Sequence, residues 1–307
     1  MKNLSEGNKM FLSVMVFFAI YATIFILFDD YDQHFLTTPF EGASDWHLLL
    51  FSIVAMGGLG VLLHRYSRRM DERISKQQAD KQDQMRRELT QNIAHELKTP
   101  VASILGYTET ILEYPDMNDE TRTQFIERTK TQANRLTALL QDISTLNRMD
   151  YAADLITFER VDVSHIVSDI VQETALAAEG KGITVYNSLP ADILVNGNQS
   201  LIYSIFRNLV DNAINYAGKG ATVHIQAVEK PDYWQFSFAD NGIGIADKHL
   251  PRIFERFYRI DKGRSRSLGG TGLGLAIVKN AVMMHGGTIK AQPADGGGLC
   301  FEFTLKK

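Results

Sequence analysis

A run of glycines, interrupted by one threonine and one leucine, opens a predicted helix that begins near residue 273. Because Gly270, Gly272 and Gly274 carry no side chains, backbone N–H groups at this helix N-terminus could approach a phosphate. The helix dipole also favours a negative charge at that end. The pattern is not a P-loop, because no Lys-Ser or Lys-Thr follows the last glycine. Alone, it is weak evidence for a phosphate-binding loop.

Two further features of the same half of the chain suit a polar pocket. Asn208 and Asn212 lie four residues apart, on one face of a helix predicted over residues 199–216. A predicted strand ends in Asp240, and the next residues include Gly242 and Gly244. Each feature also has a purely structural reading, since amides occur on helix rims and Asp with glycines forms turns.

A histidine lies on the polar side of a helical pattern over residues 85–112. Apolar residues recur there at steps of three and four, which marks one face of a helix. At about 100° per residue, His95 falls about 180° from the stripe that contains Ile93, so its imidazole is predicted to face water. Thr99 follows one turn later on the same face. An exposed histidine is ordinarily a solvated side chain, but a histidine followed by glutamate and then by Pro100 in mid-helix is less usual.

Taken in chain order, these motifs resemble those of the membrane-bound sensor histidine kinases of two-component systems. The matching segments are the H box at His95–Pro100, the N box at Asn208–Tyr216, the first glycine box at Asp240–Gly244, the F box at Phe254–Tyr258 and the second glycine box at Gly270–Gly274. Each motif is weak alone, but together, in family order across residues 85–307, they are specific.

The resemblance implies an ATP-binding fold shared with gyrase, Hsp90-type and MutL-type ATPases. Asp240 is then expected to accept the adenine amino group, and Arg259 to meet the γ-phosphate. Asn212, helped by Asn208, is expected to hold Mg²⁺ through its amide oxygen, which is a suitable hard ligand. The other residues expected to line the nucleotide are Tyr216, Gly242, Gly244, Gly270, Thr271, Gly272, Leu273 and Gly274.

The resemblance also assigns the chemistry of the H box. His95 is expected to attack the γ-phosphoryl group of ATP, and Glu96 to fix the imidazole tautomer and act as a base. The phosphoryl group would then pass to an aspartate of a cytosolic response regulator. Thr99 is expected to support removal of that group from the regulator. The alternative is an ATP-binding membrane receptor that acts only as a phosphatase or scaffold.

The N box departs from the family pattern at one position that matters for phosphate binding. Asn215 stands where the family usually has lysine, and Ala217 where it often has serine or threonine. The usual lysine is expected near the phosphates. One phosphate contact is therefore in doubt, although the activity as a whole is not.

The elements that must carry the H box form a predicted helical hairpin. Tyr114-Pro115 interrupts the first helix, and Asn118 or Asp119 can cap a second helix that runs to about residue 149. Two long helices with a short connection pack antiparallel. One hairpin cannot bury both apolar stripes, so a second copy is expected to complete a four-helix bundle in a homodimer.

Beyond residue 155 the periodicity indicates an α/β sandwich, a mixed sheet with helices on one face. Short alternating or apolar runs predict strands at 183–189, 193–195, 222–228, 234–239, 288–292 and 299–305. Helices are predicted between them, over 163–178, 199–216 and 273–285.

The N-terminal part reads as a membrane anchor. Residues 10–28 and 46–63 are uncharged and apolar, and a bilayer core about 30 Å thick requires roughly 20 such residues in a helix. Lys9 precedes the first segment and Arg65 follows the second, whereas residues 29–45 contain acidic residues and no Lys or Arg. The pattern predicts a short external loop and two cytoplasmic termini in the inner (cytoplasmic) cell membrane.

The predicted organisation has four parts. A membrane anchor spans residues 1–64, a helical linker 65–84, a dimerisation and histidine phosphotransfer domain 85–150, and a catalytic ATP-binding domain 151–307.

Composition excludes several other classes of protein. The net charge of −4 argues against a nucleic-acid binder, and the single cysteine excludes a disulfide framework and cysteine-rich zinc sites.

Overall fold

The computed structural model describes residues 45–151, 155–260, 270–294 and 296–307, together with the single positions 15, 16 and 19. The chain divides into two compact units, residues 1–88 and residues 89–307. Apart from those single positions, the predicted first membrane segment, 10–28, lies outside the described residues. Within the part of the chain that the structure describes, no helix is long and apolar enough to cross a membrane.

The hairpin consists of helix α1 (Asp45–Glu113) and helix α2 (Asp119–Tyr151). The predicted interruption lies directly after α1, and the Asn118 side chain accepts a hydrogen bond from the backbone N–H of Thr121 at 2.7 Å. This contact satisfies one of the free N–H groups at the start of α2, so the cap is Asn118, one of the two residues that the sequence predicts for this role.

The second helix of the hairpin contributes to two apolar surfaces. Leu139, Leu146 and Met149 are buried and belong to the core that continues into the C-terminal domain. Leu140, on a different side of α2, is 52% exposed. Val101 and Leu105 of α1 are exposed as well. A single protomer therefore leaves part of the apolar surface of its hairpin uncovered.

The C-terminal domain contains a five-stranded mixed sheet and a two-stranded antiparallel sheet. The strands are β1 (Glu159–Asp162), β2 (Thr184–Asn187), β3 (Leu194–Gly197), β4 (Thr222–Glu229), β5 (Tyr233–Asp240), β6 (Ile289–Pro293) and β7 (Leu299–Lys306). The larger sheet has the order β2-β4-β5-β7-β6, with β2 parallel to β4 and all other pairs antiparallel. The small sheet pairs β1 with β3.

Helices α3 (Val163–Glu179), α4 (Gln199–Tyr216) and α5 (Gly274–Met284) supply the rest of the core. Alternate residues of β5 are buried, which means that one face of the sheet carries the packing. The rings of Phe206, Phe236 and Phe303 meet there, with centroids 5.1–5.6 Å apart. The predicted α/β sandwich is confirmed, and this packing fixes the position of α4.

A buried histidine ties the start of α4 to α5. His285 is 4% exposed; its Nε2 accepts a hydrogen bond from the Asn198 backbone N–H at 3.0 Å, and its Nδ1 donates to the Ala281 carbonyl at 2.6 Å. Asn198 is also the N-cap of α4. Burial lowers the pKa of His285, while the bond to the Ala281 carbonyl opposes that shift. The imidazole is therefore held neutral in the folded chain.

This arrangement predicts a loss of stability in mild acid. Because the folded-state pKa of His285 is lowered, its contribution is complete above the ordinary histidine pKa of about 6.5 and is lost as the pH falls through the folded-state value. The denaturant midpoint of unfolding should therefore decrease on acidification. The decrease should be smaller in His285→Gln, which cannot take up a proton. His165→Gln is the matched control, since the His165 side chain is 74% exposed. An equal pH dependence in His285→Gln and the unsubstituted chain would contradict the prediction.

Candidate functional site

The polar face of α4 contacts the second glycine box. Asn208 and Asn212 are half-buried, as is Tyr216 at the end of the helix. The Asn208 amide nitrogen donates to the Ser204 carbonyl at 2.7 Å, and its amide oxygen lies where a Cβ on Gly274 would be. A side chain at position 274 would therefore displace the Asn208 amide. The structure brings the N box and the second glycine box together, as the sequence predicts.

The first glycine box forms a tight turn at the end of β5. The Asp240 side chain accepts a hydrogen bond from the Gly242 N–H at 2.9 Å, and the residue is 7% exposed. A Cβ on Gly242 would collide with the Ala217 carbonyl, which itself accepts the Ile243 N–H at 3.0 Å. Gly244 has φ +62°, a value that favours glycine. The loop is thus packed directly against the end of α4.

Burial and backbone hydrogen bonds act in opposite directions on the pKa of Asp240. Removal from water raises the pKa of this carboxyl group, and hydrogen bonds from the backbone N–H groups of Gly242 and Leu299 lower it. These two donors are the groups that compensate a buried carboxylate in this position. Asp240 therefore provides a desolvated acceptor that is already oriented by its own loop.

The F box holds the second glycine box in place. Gly272 has φ +76°, and its carbonyl accepts a hydrogen bond from the Phe257 N–H at 2.8 Å. Phe257 itself has φ +61°, a left-handed conformation that costs a non-glycine residue about 1 kcal/mol. Arg259 donates a hydrogen bond to the Gly270 carbonyl. The glycine loop is thus fixed from one side by backbone and by a guanidinium group.

Two predicted nucleotide contacts are already engaged within the protein. Leu273 is fully buried, and its backbone N–H donates to the Thr271 hydroxyl at 3.2 Å. Thr271 donates in turn to the Asp142 carboxylate of α2 at 2.6 Å. Burial raises the pKa of Asp142, and the hydrogen bond from Thr271 lowers it.

The phosphoacceptor candidate lies on the hairpin surface. His95 is exposed, as its position opposite the apolar stripe predicts, and Thr99 is half-buried one turn later. Both line a shallow concave surface with Lys98, Ala102 and Ser103. The Thr99 hydroxyl lies 3.5 Å from the His95 carbonyl oxygen. Imidazole and hydroxyl therefore share one accessible surface.

Glu96 points away from that surface, toward two arginines. Its carboxylate lies 3.4 Å from the Arg135 guanidinium of α2 and 3.4 Å from the Arg259 guanidinium of the catalytic domain. The Arg259 side chain is 7% exposed and that of Glu96 is 15% exposed, so these are charge-assisted contacts with little access to water. Arg259 thus links the second glycine box to the residue next to His95.

A further ion pair joins the catalytic domain to α2. The Nη1 and Nη2 atoms of Arg256 each lie 2.8 Å from one carboxylate oxygen of Asp150, near the end of α2. Roles for Arg135, Asp142 and Asp150 are not predicted from the sequence, because charged residues on a long helix normally form a solvated face. The packing of α2 against α1 identifies Arg135, and the packing of the catalytic domain on α2 identifies Asp142 and Asp150.

Two family matches correspond to these two parts of the structure. Residues 85–152 match the His Kinase A (phospho-acceptor) domain, and residues 197–307 match the histidine kinase-, DNA gyrase B-, and HSP90-like ATPase family. The first range contains the hairpin with His95. The second contains every residue expected to line a nucleotide.

The chain is also similar to curated sensor kinases. It is 36% identical over 260 residues to the sensor-like histidine kinase SenX3 of Mycobacterium tuberculosis, covering 82% of this chain and 63% of SenX3. Residues 85–152 belong to the phospho-acceptor domain family, and residues 197–307 belong to the ATPase domain family. The chain is also 34% identical over 228 residues to the sensor histidine kinase WalK of Bacillus subtilis, covering 74% of this chain and 37% of WalK. It therefore spans less than two thirds of the length of either relative.

A solved structure is also similar to this chain. The crystal structure of full-length ShkA in complex with AMPPNP superposes with a TM-score of 0.52 and 26% sequence identity. The superposition covers 69% of this chain and 44% of ShkA. The likeness extends over more than the catalytic domain alone.

Proposed function

We propose that this chain is a sensor protein histidine kinase that transfers the γ-phosphoryl group of ATP to His95 and then to an aspartate of a cytosolic response regulator. The observation that carries the proposal is the position of Arg259. Its guanidinium contacts both the Gly270 carbonyl and the Glu96 carboxylate, so one side chain joins the glycine loop to the neighbour of His95.

The residues around α4 fit a nucleotide and a magnesium ion. The glycine loop contacts the Asn208 amide and opens α5, so N–H groups and the helix dipole are available for phosphate. Among the described residues no cluster of three or more His, Cys, Asp or Glu could hold a metal. Mg²⁺ suits the amide face of α4 because it binds through few protein oxygens together with substrate phosphates. We assign the amide oxygen of Asn212 as the protein ligand.

The adenine end of the site is assigned to the first glycine box. Asp240 would accept a hydrogen bond from the adenine amino group, with Gly242 and Gly244 allowing the base to approach the backbone. Tyr216 and the glycines of the second box, Gly270, Gly272 and Gly274, would complete the pocket. The AMPPNP complex of ShkA supports the assignment by similarity.

The chemistry requires mainly positioning and charge neutralisation. Nε2 of His95 would attack the γ-phosphorus in line, forming the N–P bond as the bond to the β-phosphate oxygen breaks and ADP leaves. Once it faces His95, Glu96 would fix the imidazole tautomer and act as the base that accepts the imidazole proton. Arg259, released from the same carboxylate, would then stabilise charge on the γ-phosphoryl group.

The same proposal includes a homodimer anchored in the cytoplasmic membrane. The uncovered apolar surface at Val101, Leu105 and Leu140 suits a second hairpin, which would complete a four-helix bundle. The two apolar segments at 10–28 and 46–63 and the basic residues that flank them support the membrane anchor and the cytoplasmic termini.

Mass spectrometry of the ATP-treated chain tests the assignment of the phosphoacceptor. After incubation with ATP and Mg²⁺, the peptide that contains His95 is expected to gain one phosphoryl group. ADP in place of ATP should give none. A phosphoryl group found only on serine or threonine peptides would contradict the proposal.

We also predict a phosphatase activity that depends on Thr99. Because its hydroxyl lies on the same concave surface as His95, it could orient a water molecule for attack on the phosphorylated regulator. Thr99→Ala should slow dephosphorylation of the regulator by about 10²-fold, a usual contribution of such groups, while autophosphorylation persists. Thr131→Ala is the control, since Thr131 is exposed on α2 and donates to the Glu127 carbonyl. Equal rates for Thr99→Ala and the unsubstituted chain would show that this hydroxyl has no role.

A further inference from the structure

Asn215 lies on the same face of α4 as the residues assigned to the nucleotide. At about 100° per residue, Asn215 is about 20° from Asn208 and about 60° from Asn212 around the helix axis. All three side chains are half-buried. The polar face of α4 therefore extends to the position where the sequence lacks the lysine expected for this family.

A lysine from another element reaches that position. Lys181 lies in the turn after α3, and its ammonium group donates a hydrogen bond to the Asn215 amide oxygen at 2.7 Å. The turn is fixed by backbone hydrogen bonds from Lys181 to Ala178 at 3.0 Å and from Gly182 to Glu179 at 2.8 Å. The positive charge that position 215 itself lacks is thus present beside Asn215.

Helix packing explains why Lys181 reaches α4. Glu173 pairs with Arg207, and Lys181 contacts Asn215, with a sequence separation of 34 residues in both cases. A constant separation means that α3 and α4 run side by side in the same direction at this interface. The register of the two helices therefore sets the position of the Lys181 ammonium group.

The two cations at this interface have different partners. Arg207 is neutralised by the carboxylates of Glu173 at 3.0 Å and Asp211 at 2.9 Å. The partner that the structure gives Lys181 is the neutral amide of Asn215. An ammonium group has three donors, and this bond uses one of them. The remaining donors of the Lys181 ammonium group are therefore left for an anion.

We propose that Lys181 contacts the phosphate chain of the bound nucleotide, and so supplies the cation that the N box lacks at position 215. This inference rests on the proposed function, because it takes the Asn208–Asn212 face as the nucleotide site. Asn215 then serves as a positioning residue that holds the Lys181 side chain.

Nucleotide affinities of the full chain test the proposal. Lys181→Gln removes one charge-assisted phosphate contact, so the affinity of this variant for ATP should fall about tenfold. Binding of adenosine, which carries no phosphate, should not change. Lys181→Arg should retain most of the ATP affinity. Lys279→Gln is the matched control, since Lys279 is exposed on α5 and should bind ATP like the unsubstituted chain.

A second variant separates phosphate binding from a structural role. The double variant Lys181→Gln, Asn215→Lys moves the cation from the turn after α3 to position 215 of α4, and it should restore the affinity for ATP. Unchanged ATP affinity in Lys181→Gln would overturn the proposal, as would an equal loss for ATP and adenosine without rescue. Absence of ATP binding by the unsubstituted chain is a distinct result, which would overturn the proposed function as well.

Discussion

His95→Gln is expected to abolish autophosphorylation and to leave ATP affinity unchanged. Glutamine keeps a polar side chain of similar size at an exposed helical position, but it has no nucleophilic ring nitrogen. His95 lies on α1, whereas the residues assigned to the nucleotide lie on α4, α5 and the loops of the catalytic domain. The substitution therefore removes the phosphoacceptor without altering the nucleotide site.

Two measurements check this result together. Phosphoryl incorporation should fall to the background level, while titration with a non-hydrolysable ATP analogue should give the affinity of the unsubstituted chain. His165→Gln, which replaces an exposed histidine of the catalytic domain, should leave both unchanged. Loss of analogue binding in His95→Gln would contradict the separation of the two functions, and retained labelling would exclude His95 as the acceptor.

Asp240→Asn is expected to weaken ATP binding by about 1.5–3 kcal/mol, the range for a hydrogen bond to a charged group. Asp240 is buried at the end of β5, and its carboxylate is oriented by the Gly242 N–H. Asparagine has the same shape but presents a neutral amide, which is a weaker acceptor for the adenine amino group. The loss should therefore appear in affinity rather than in folding.

A comparison of two nucleotides that differ in their base shows whether Asp240→Asn loses adenine recognition or the whole nucleotide site. The unsubstituted chain should prefer ATP to ITP, which lacks the amino group, and Asp240→Asn should reduce that preference. Asp232→Asn is a matched control on an exposed residue and should behave like the unsubstituted chain. If Asp240→Asn binds ATP with unchanged affinity, Asp240 has no part in the adenine pocket.

The sequence predicts elements well where local signals agree. Helix α4 begins and ends at the predicted residues, because Asn198 caps it and the apolar repeat is regular throughout. In contrast, β1 was not predicted. Only Val161 of that four-residue strand is buried, and no alternating pattern can be recognised in so short and polar a segment. Its formation depends on pairing with β3.

The sequence predicts the motifs of the candidate site but not the side-chain contacts between them. Glycine spacing and the exposed position of His95 depend on local geometry, which the sequence shows directly. The partners of Glu96 and Thr271 are Arg135, 39 residues away, and Asp142, 129 residues away. The first pair follows from the packing of α2 on α1, and the second follows from the packing of the catalytic domain on α2, where Leu139 is buried. No periodicity within one helix contains that information.

Incubation of the full chain with ATP labelled at the γ-phosphate is the most direct test of the central claim. The account predicts label that remains on the protein after alkali and is lost in acid, as expected for phosphohistidine. ATP labelled at the α-phosphate should leave no label on the protein. Absence of γ-label, or label that survives acid, would contradict the assignment of this chain as an active histidine kinase.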